Sequence, residues 1–166
     1  MKILIGVIGA DIELDDDLKA ICEEIGKGIA SRGWVVVCGG KGGVMKHVCK
    51  AAKEANGLTI GILPSLSKEE ANEYVDIAIP TGFGVARNVL VVSSADVVIA
   101  INGRIGTLSE IALALNYGKD VILVEDSKGI AKEIYDDLVA IGFKDKVHLC
   151  HHHEAINKVS EILGIK

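Results

Sequence analysis

The sequence passes directly from an apolar run into a glycine-rich loop at Trp34-Val35-Val36-Val37-Cys38-Gly39-Gly40-Lys41-Gly42-Gly43. A short β-branched run bounded by glycine is typical of a strand buried on both faces, as the strands of parallel sheets are. The residues that follow, at about 43–56, have helical periodicity and stop at Gly57, a residue type suited to end a helix. We therefore predict a strand, a glycine loop and a helix in succession.

The same alternation extends over most of the chain. Further helices are predicted from the acidic residues 15–17 to Gly33, and at about 107–117, 130–141 and 154–163. Strands are predicted at residues 2–8, 34–38, 58–62, 75–79, 96–101, 120–124 and 146–149. This pattern predicts an α/β fold, a Rossmann-like three-layer α/β/α sandwich with a mostly parallel sheet of about seven strands, in a single domain over residues 1–166.

Two segments have more than one interpretation. Residues 85–94 are rich in β-branched side chains, but they lie between two better strands, where a parallel sheet needs a crossover, and we predict a helix there. Residues 64–73 follow a strand end and are either a mobile loop that closes over a ligand or an ordinary surface connection with a short helix.

The composition excludes several classes of protein. The chain has 166 residues and a formal net charge of −5, and no run of Lys or Arg supplies the basic face that a general nucleic-acid binder needs. We therefore expect no nucleic-acid partner. No apolar stretch reaches the ~20 residues of a membrane span, so we expect no membrane association. The four cysteines form no CxxC pair, which is typical of reduced core residues and favours the cytoplasm.

Glycines gather where the predicted strands end. In open α/β sheets, ligands lie beyond the carboxyl ends of the strands, and glycines before a helix let backbone N–H groups approach an anion. The alternative is that these glycines only make tight turns. Three such loops at one edge favour a phosphate site. The residues predicted to bind the ligand from these loops are Gly9, Ala10, Gly40, Lys41, Gly42, Gly43, Thr81, Gly82, Gly103, Arg104, Gly106 and Thr107.

Two named nucleotide motifs are absent from the sequence. A P-loop requires Ser or Thr after its Lys, whereas Lys41 is followed by Gly42. A dinucleotide fingerprint requires GxGxxG after the first strand, which offers only Gly6 and Gly9. We therefore do not expect NAD binding.

Four pieces of sequence, taken in order, resemble one superfamily. They are Gly39 to Met45, Gly57 to Pro64, Arg87, and Gly103-x-x-Gly106-Thr107-Leu108-Ser109-Glu110. The superfamily comprises the Lonely guy cytokinin-activating phosphoribohydrolases, the molybdenum cofactor carrier proteins and relatives of DNA-processing protein A. Many members have been labelled lysine decarboxylases, but the sequence has no recognisable pyridoxal-phosphate lysine motif. The resemblance covers about residues 3–125 and implies a Rossmann-like fold in a homodimer or larger homo-oligomer.

The resemblance also implies a site and, in one branch, a reaction. The hydrolase branch cleaves the N-glycosidic bond of a nucleoside 5′-monophosphate, using the Arg and Glu that correspond to Arg87 and Glu110. Its motif opens Pro-Gly-Gly, where this chain has Asn102-Gly103-Arg104, and its Arg is followed by Lys, where this chain has Asn88. An Arg-Asn pair is more similar to the carrier-type branch, so Arg87, Asn88 and Glu110 join the predicted ligand-binding residues.

Each of the charged candidates also has a structural interpretation. Thr107 and Glu110 have the spacing of a capping box, in which they would stabilise the start of a helix and have no catalytic role. Arg87 stands in an apolar run and binds either an internal acid or the ligand. Lys41 either reaches a phosphate or is a solvated loop residue, and Asp11 either binds a sugar hydroxyl or caps a helix.

The segment His148-Leu149-Cys150-His151-His152-His153 has the composition of a metal site. Three adjacent histidines cannot all point one way on a strand, and ligands on a helix are usually three or four residues apart. The segment also precedes the last predicted helix, away from the strand ends that gather the glycines. We interpret it as a polar strand-to-helix turn and predict no metal ligand.

Three functions compete on this basis. The first prediction is a carrier-like protein that binds a phosphate-bearing, nucleotide-like or pterin-type molecule, such as the molybdenum cofactor or a nucleoside monophosphate. The alternative is a nucleoside 5′-monophosphate phosphoribohydrolase, with Arg87 and Glu110 as its catalytic residues. A sensor or scaffold in which nucleotide binding controls a partner is the third. The sequence alone leaves open which ligand is bound and whether it is turned over.

Overall fold

A seven-stranded sheet forms the centre of the protein, for which a computed structural model describes all residues from Met1 to Lys166. All neighbouring strands are parallel, in the order β4-β3-β2-β1-β5-β6-β7. The strands are β1 (Leu4–Gly9), β2 (Val35–Cys38), β3 (Leu58–Leu63), β4 (Ile77–Pro80), β5 (Val97–Ile101), β6 (Asp120–Val124) and β7 (Val147–Cys150). Each of the seven predicted strands is confirmed to within about two residues.

Seven α-helices cover the sheet in two layers. They are α1 (Asp16–Ser31), α2 (Val44–Glu54), α3 (Asn88–Ser94), α4 (Ile105–Asn116), α5 (Ile130–Glu133), α6 (Tyr135–Leu138) and α7 (His152–Leu163). One core of 25 buried residues lies under α1, α2 and α7. A second core of 16 buried residues lies under α3 to α6. These two layers on one sheet confirm the three-layer α/β/α sandwich, and none of the helices is long and apolar enough to cross a membrane.

The strand order reverses direction at β1. The chain adds β2, β3 and β4 on one side of β1 and then returns to place β5 on the other side, with Gly9 opposite Ile101 at the carboxyl ends. Segments leaving the ends of β1 and β5 therefore turn away from each other. This divergence opens a crevice at the edge where the predicted glycine loops lie.

The ambiguous segment at 85–94 is helical, as predicted. A 3₁₀ turn over Gly84–Arg87 leads into α3, whose buried side chains Val91 and Val92 belong to the second core. Residues 64–73 contain only a 3₁₀ turn at Lys68–Glu70, with Ser67 capping its start.

The single helix predicted at 130–141 is wrong. This region contains α5, α6 and a π-type turn over Val139–Phe143. Ile134 separates the two short helices with a ψ of −12°, and Gly142 ends the segment with a φ of 103°. Apolar periodicity predicts which face of such a segment is buried, but it does not report where the backbone leaves the helical conformation.

A candidate anion-binding cleft

A cleft of about 310 Å³ opens at the reversal point of the sheet. Its walls come from the end of β1, the loop after β2, the 3₁₀ turn before α3, and the start of α4. Eight of the predicted ligand-binding residues line it together, namely Gly9, Ala10, Arg87, Asn88, Arg104, Gly106, Thr107 and Glu110. The topology thus brings four separate segments of sequence into one site.

Arg87 is held in place at the cleft wall by two hydrogen bonds. Its Nε donates to the carbonyl oxygen of Ile62 at 3.0 Å, and its Nη1 donates to Oδ1 of Asn88. Asn88 is itself buried. Arg87 has no carboxylate within ion-pair distance, and its Nη2 makes no hydrogen bond to the protein. The interpretation of Arg87 as half of an internal ion pair is therefore wrong.

Gly39 makes room for this guanidinium group. A Cβ atom on Gly39 would lie 2.7 Å from Arg87 Nη2 and 3.0 Å from Met45 Sδ. Gly39 lines the cleft but is missing from the predicted ligand-binding residues, because its role depends on a side chain 48 positions later in the chain. The glycine run indicated the position of this loop but could not indicate which glycine faces the arginine.

The start of α4 presents backbone N–H groups at the cleft. Ile105, Gly106 and Thr107 begin the helix, and none of their N–H groups has a partner within the chain, since the first intrahelical donor is Leu108 to Arg104. A Cβ on Gly106 would meet no atom within 4 Å, so its backbone is open to the cleft. A helix of 12 residues with free N–H groups and an exposed arginine at its N-cap favours an anion.

Asn102 supports the loop that leads into α4. Its Nδ2 donates to the Ser127 carbonyl oxygen at 2.8 Å, and its own N–H donates to Ser127 Oγ at 2.7 Å. Asn102 has a φ of 56° and Gly103 a φ of 94°, so both occupy left-handed conformations. Arg104 has a φ of −130° and a ψ of −139°, so its backbone is extended and not left-handed.

Glu110 faces the cleft from the second turn of α4. The capping-box interpretation is wrong, because α4 begins at Ile105 and its N-cap is Arg104, so Thr107 is inside the helix. Burial raises the pKa of Glu110 to about 7, and the nearby positive charge of Arg87 opposes this only in part. This carboxyl group therefore changes its charge near neutral pH.

The other predicted residues lie around the cleft without lining it. The loop after β2 is anchored by Gly40, whose carbonyl oxygen accepts from the N–H of Asn72, and Lys41 pairs with Glu70 at 3.4 Å. The Thr81 hydroxyl donates to the carbonyl oxygen of Leu63. Gly42 packs against Asp11, Gly43 against Ala10, Gly82 against Leu66, and Gly103 against Thr107.

Most of the other lining residues carry no polar signal in the sequence. Val7, Ile8, Ile12, Met45 and Val85 contribute an apolar surface to the same cleft. Asp11 also lines the cleft, and its Oδ1 lies beside Gly42 of the loop after β2. Val7 and Ile8 are buried core residues that also form the floor of the cleft, so their place in the site depends on the strand order and not on residue type.

The profile of the SLOG cluster4 family matches residues 2–155. The chain belongs to the SLOG cluster4 family. An uncharacterised protein of Archaeoglobus fulgidus is 47% identical over 122 residues, which cover 73% of this chain and 80% of that relative. A cytokinin riboside 5′-monophosphate phosphoribohydrolase of Mycobacterium tuberculosis is 33% identical over 98 residues, or 57% of this chain, and the match spans about half (52%) of the enzyme.

Two solved structures resemble this family member over nearly their whole length. The molybdenum cofactor binding protein of Rippkaea orientalis has a TM-score of 0.87 and 39% identity, with 98% of each chain covered. The molybdenum cofactor carrier protein of Chlamydomonas reinhardtii has a TM-score of 0.84 and 36% identity, with 98% of this chain and 99% of that chain covered. The resemblance that the sequence motifs indicated is confirmed for both the hydrolases and the carriers.

Proposed function

We propose that this protein binds a phosphate-bearing pterin-type or nucleotide-like molecule in the cleft and acts as a carrier. The observation that supports this most directly is the arrangement of Arg87. Two of its nitrogens are held by the protein, and the third, Nη2, is left without a partner beside Gly39. A guanidinium group fixed in this way is prepared for a phosphate or carboxylate oxygen.

The electrostatics of the cleft support an anionic ligand. Arg87 and Arg104 supply two positive charges against the single negative charge of Asp11, and Gly106 and Thr107 at the start of α4 supply unpaired N–H groups. Glu110 would repel a phosphate only when ionised, and a pKa of about 7 allows it to become neutral when the ligand binds.

The loop into α4 favours a carrier over a hydrolase. In the hydrolase motif the first position is Pro, which fixes φ near −65° and has no N–H. Asn102 has a φ of 56° and uses its N–H to bind Ser127, so a proline cannot replace it in this conformation. The structural relatives described as cofactor binding and carrier proteins cover 98% of the chain, whereas the hydrolase match covers 57% of it.

The proposal is tested by the dependence of binding on the phosphate group. A pterin monophosphate and AMP should each raise the melting temperature by mass action, and the dephosphorylated pterin and adenosine should not. Arg87→Ala should abolish the shift, while Lys41→Ala should keep it, since Lys41 pairs with Glu70 outside the cleft. Equal shifts with and without the phosphate, in the unaltered protein, would contradict the proposal.

Hydrolysis of a nucleoside monophosphate is the second candidate, and Glu110 is the observation that favours it. A partly buried carboxyl group in the same cleft as Arg87 could stabilise positive charge that develops on a ribose. Glu110→Gln would then stop base release while nucleotide affinity is kept. We expect base release by the unaltered protein to be weak or absent. Rapid release that Glu110→Gln eliminates would establish the hydrolase instead.

A further inference from the structure

A second polar cluster lies at the start of α7, on the face of the sheet covered by α1. It consists of His151, His152 and His153, together with Glu24 of α1 and Asp126 of the turn after β6. None of these residues lines the cleft. The cluster follows the end of β7, so it lies at the same edge of the sheet as the glycine loops, contrary to the position expected from the sequence.

His152 faces a carboxylate at each of its two ring nitrogens. Its Nδ1 contacts Asp126 Oδ2, and its Nε2 lies 3.0 Å from Glu24 Oε2, while the side chain is only 14% exposed. A neutral imidazole has one N–H, so it can donate to only one of these acids. The second ring nitrogen then needs either a second proton or a metal ion between it and the facing carboxylate.

His153 completes a set of convergent ligand atoms. Its Nδ1 lies 2.9 Å from Glu24 Oε1. The ligand atoms of Glu24, His152 and His153 all lie within 4.8 Å of one another. Ligands held tetrahedrally around Zn²⁺ at ~2.0–2.1 Å are separated by roughly 3.3 Å, so small side-chain movements would bring these three atoms to that geometry.

We propose that Glu24, His152 and His153 form a binding site for a divalent transition-metal ion of the Zn²⁺ type. Asp126 accepts the Nδ1 proton of His152 and thereby directs the free Nε2 lone pair at the metal, as carboxylates behind zinc-binding histidines do. With neutral histidines, Glu24 and Asp126 leave two negative charges, which one divalent ion neutralises. A water molecule is expected as the fourth ligand.

In the sequence, the adjacency of the histidines argued against a metal site. The fold answers this objection, because only two of the three ligands come from the histidine run. His152 and His153 lie in the first turn of α7, and the third ligand comes from α1, 128 positions before His152. The ion would join α1, α7 and the turn over Glu125–Ser127. This site does not depend on the function proposed for the cleft.

The test is calorimetric titration of the protein, carrying no histidine tag, with Zn²⁺ at pH 7.5. We expect one ion per chain, accompanied by a higher melting temperature. Glu24→Gln and His153→Ala should each weaken binding at least about tenfold, and Asp126→Asn should weaken it by about 10- to 100-fold. His148→Ala is the matched control and should bind normally, because His148 contacts Asp120 instead of the cluster.

Two outcomes would overturn the proposal. One is the absence of a saturable one-to-one site for Zn²⁺. The other is binding that Glu24→Gln leaves unchanged, which would indicate an adventitious surface site formed by the histidines alone. Far-ultraviolet circular dichroism of each variant separates loss of the site from loss of the fold.

Discussion

A single methyl group on Gly39 would compete with Arg87 for the same space. The added Cβ would lie 2.7 Å from Nη2, at the far end of a flexible side chain, so the arginine can move aside without unfolding the protein. Gly39 has no positive φ, and the backbone therefore accepts alanine. We therefore expect the substitution to displace the guanidinium group of Arg87 and to leave the backbone of the loop unchanged.

We expect Gly39→Ala to weaken binding of a phosphorylated ligand by about tenfold or more, because Arg87 loses its alignment in the cleft. The melting temperature of the free protein should change little. Calorimetric binding and thermal unfolding check the two parts separately.

Gly106→Ala is the matched control for stability. Its added Cβ meets no protein atom, and alanine is a better helix former than glycine, so the free protein should keep or slightly increase its stability. A large loss of stability in Gly39→Ala, with binding intact, would show that Gly39 serves packing alone.

Glu110 gives the protein a pH-dependent stability with a definite sign. The pKa is about 7 in the folded chain and near 4.5 when unfolded, so the neutral form is favoured by folding. This contribution is fully present below about pH 4.5 and is lost as the pH rises through 7. Glu110→Gln keeps the neutral form at every pH.

We therefore expect Glu110→Gln to be more stable than the unaltered protein at pH 8, by about 2 kcal/mol or less, since the open cleft screens part of the effect. The two proteins should converge below pH 4.5. Urea unfolding at a series of pH values measures this difference. A difference in the free energy of unfolding that stays constant from pH 4.5 to pH 8 would show that ionisation of Glu110 is not its cause.

At the scale of elements, the strands were predictable because each is a short, mostly aliphatic run that ends at or beside a glycine, a proline or a polar residue. β2 and β5 are buried at every position, which is the pattern that parallel strands produce. The crossover at 85–94 followed from topology, since two parallel strands require a connection across the sheet. The prediction of a single helix at 130–141 was wrong, because the helix is interrupted by backbone torsions at Ile134 and Gly142 that apolar periodicity does not encode.

The site was predictable only in part, for a related reason. Glycines, Arg87 and Glu110 stand out in the sequence through their residue type and order. The fit of Gly39 to Arg87, and of Glu24 to His152, joins positions distant in the chain. Such pairings come from the fold, and no local pattern in one sequence reports them.

The loop from β5 into α4 offers a prediction of its own. Asn102→Ala removes the hydrogen bond from Nδ2 to Ser127 and places a Cβ-bearing residue without a polar side chain at a φ of 56°. We expect the free energy of unfolding to fall by about 2 kcal/mol. Asn102→Gly loses the same hydrogen bond but accepts the left-handed conformation, so it should lose less. Equal losses measured by urea unfolding would exclude a contribution from backbone strain.

At the scale of the whole molecule, the apolar surface of α3 and α4 predicts self-association. Val89 and Leu90 remain partly exposed on α3, as does Leu113 on α4, and Ile105 is 78% exposed. The sheet covers only one side of these helices. A symmetric contact between two copies would cover the other side.

We expect sedimentation to give twice the mass of the 17.5 kDa chain. Leu113→Lys should shift the equilibrium toward the monomer, because it places a charge in the proposed contact. Ile77→Lys is the control, since Ile77 is 44% exposed on the edge strand β4, away from both helices. A monomer mass that does not change with concentration would exclude the dimer.

The reversal of strand order at β1 also affects how the chain reaches its native state. Ile5 pairs with Val97, so β1 finds this neighbour only after about 90 residues have been made and brought back to it. Contacts between such distant positions form slowly, because the chain loses much conformational entropy before the favourable contacts of the paired strands can compensate for it. The cleft lies at the carboxyl end of β1, and one of its walls is the segment that follows β5, so it is complete only after β1 and β5 have paired. A molecule bound there should lengthen the lifetime of the native chain without accelerating its formation.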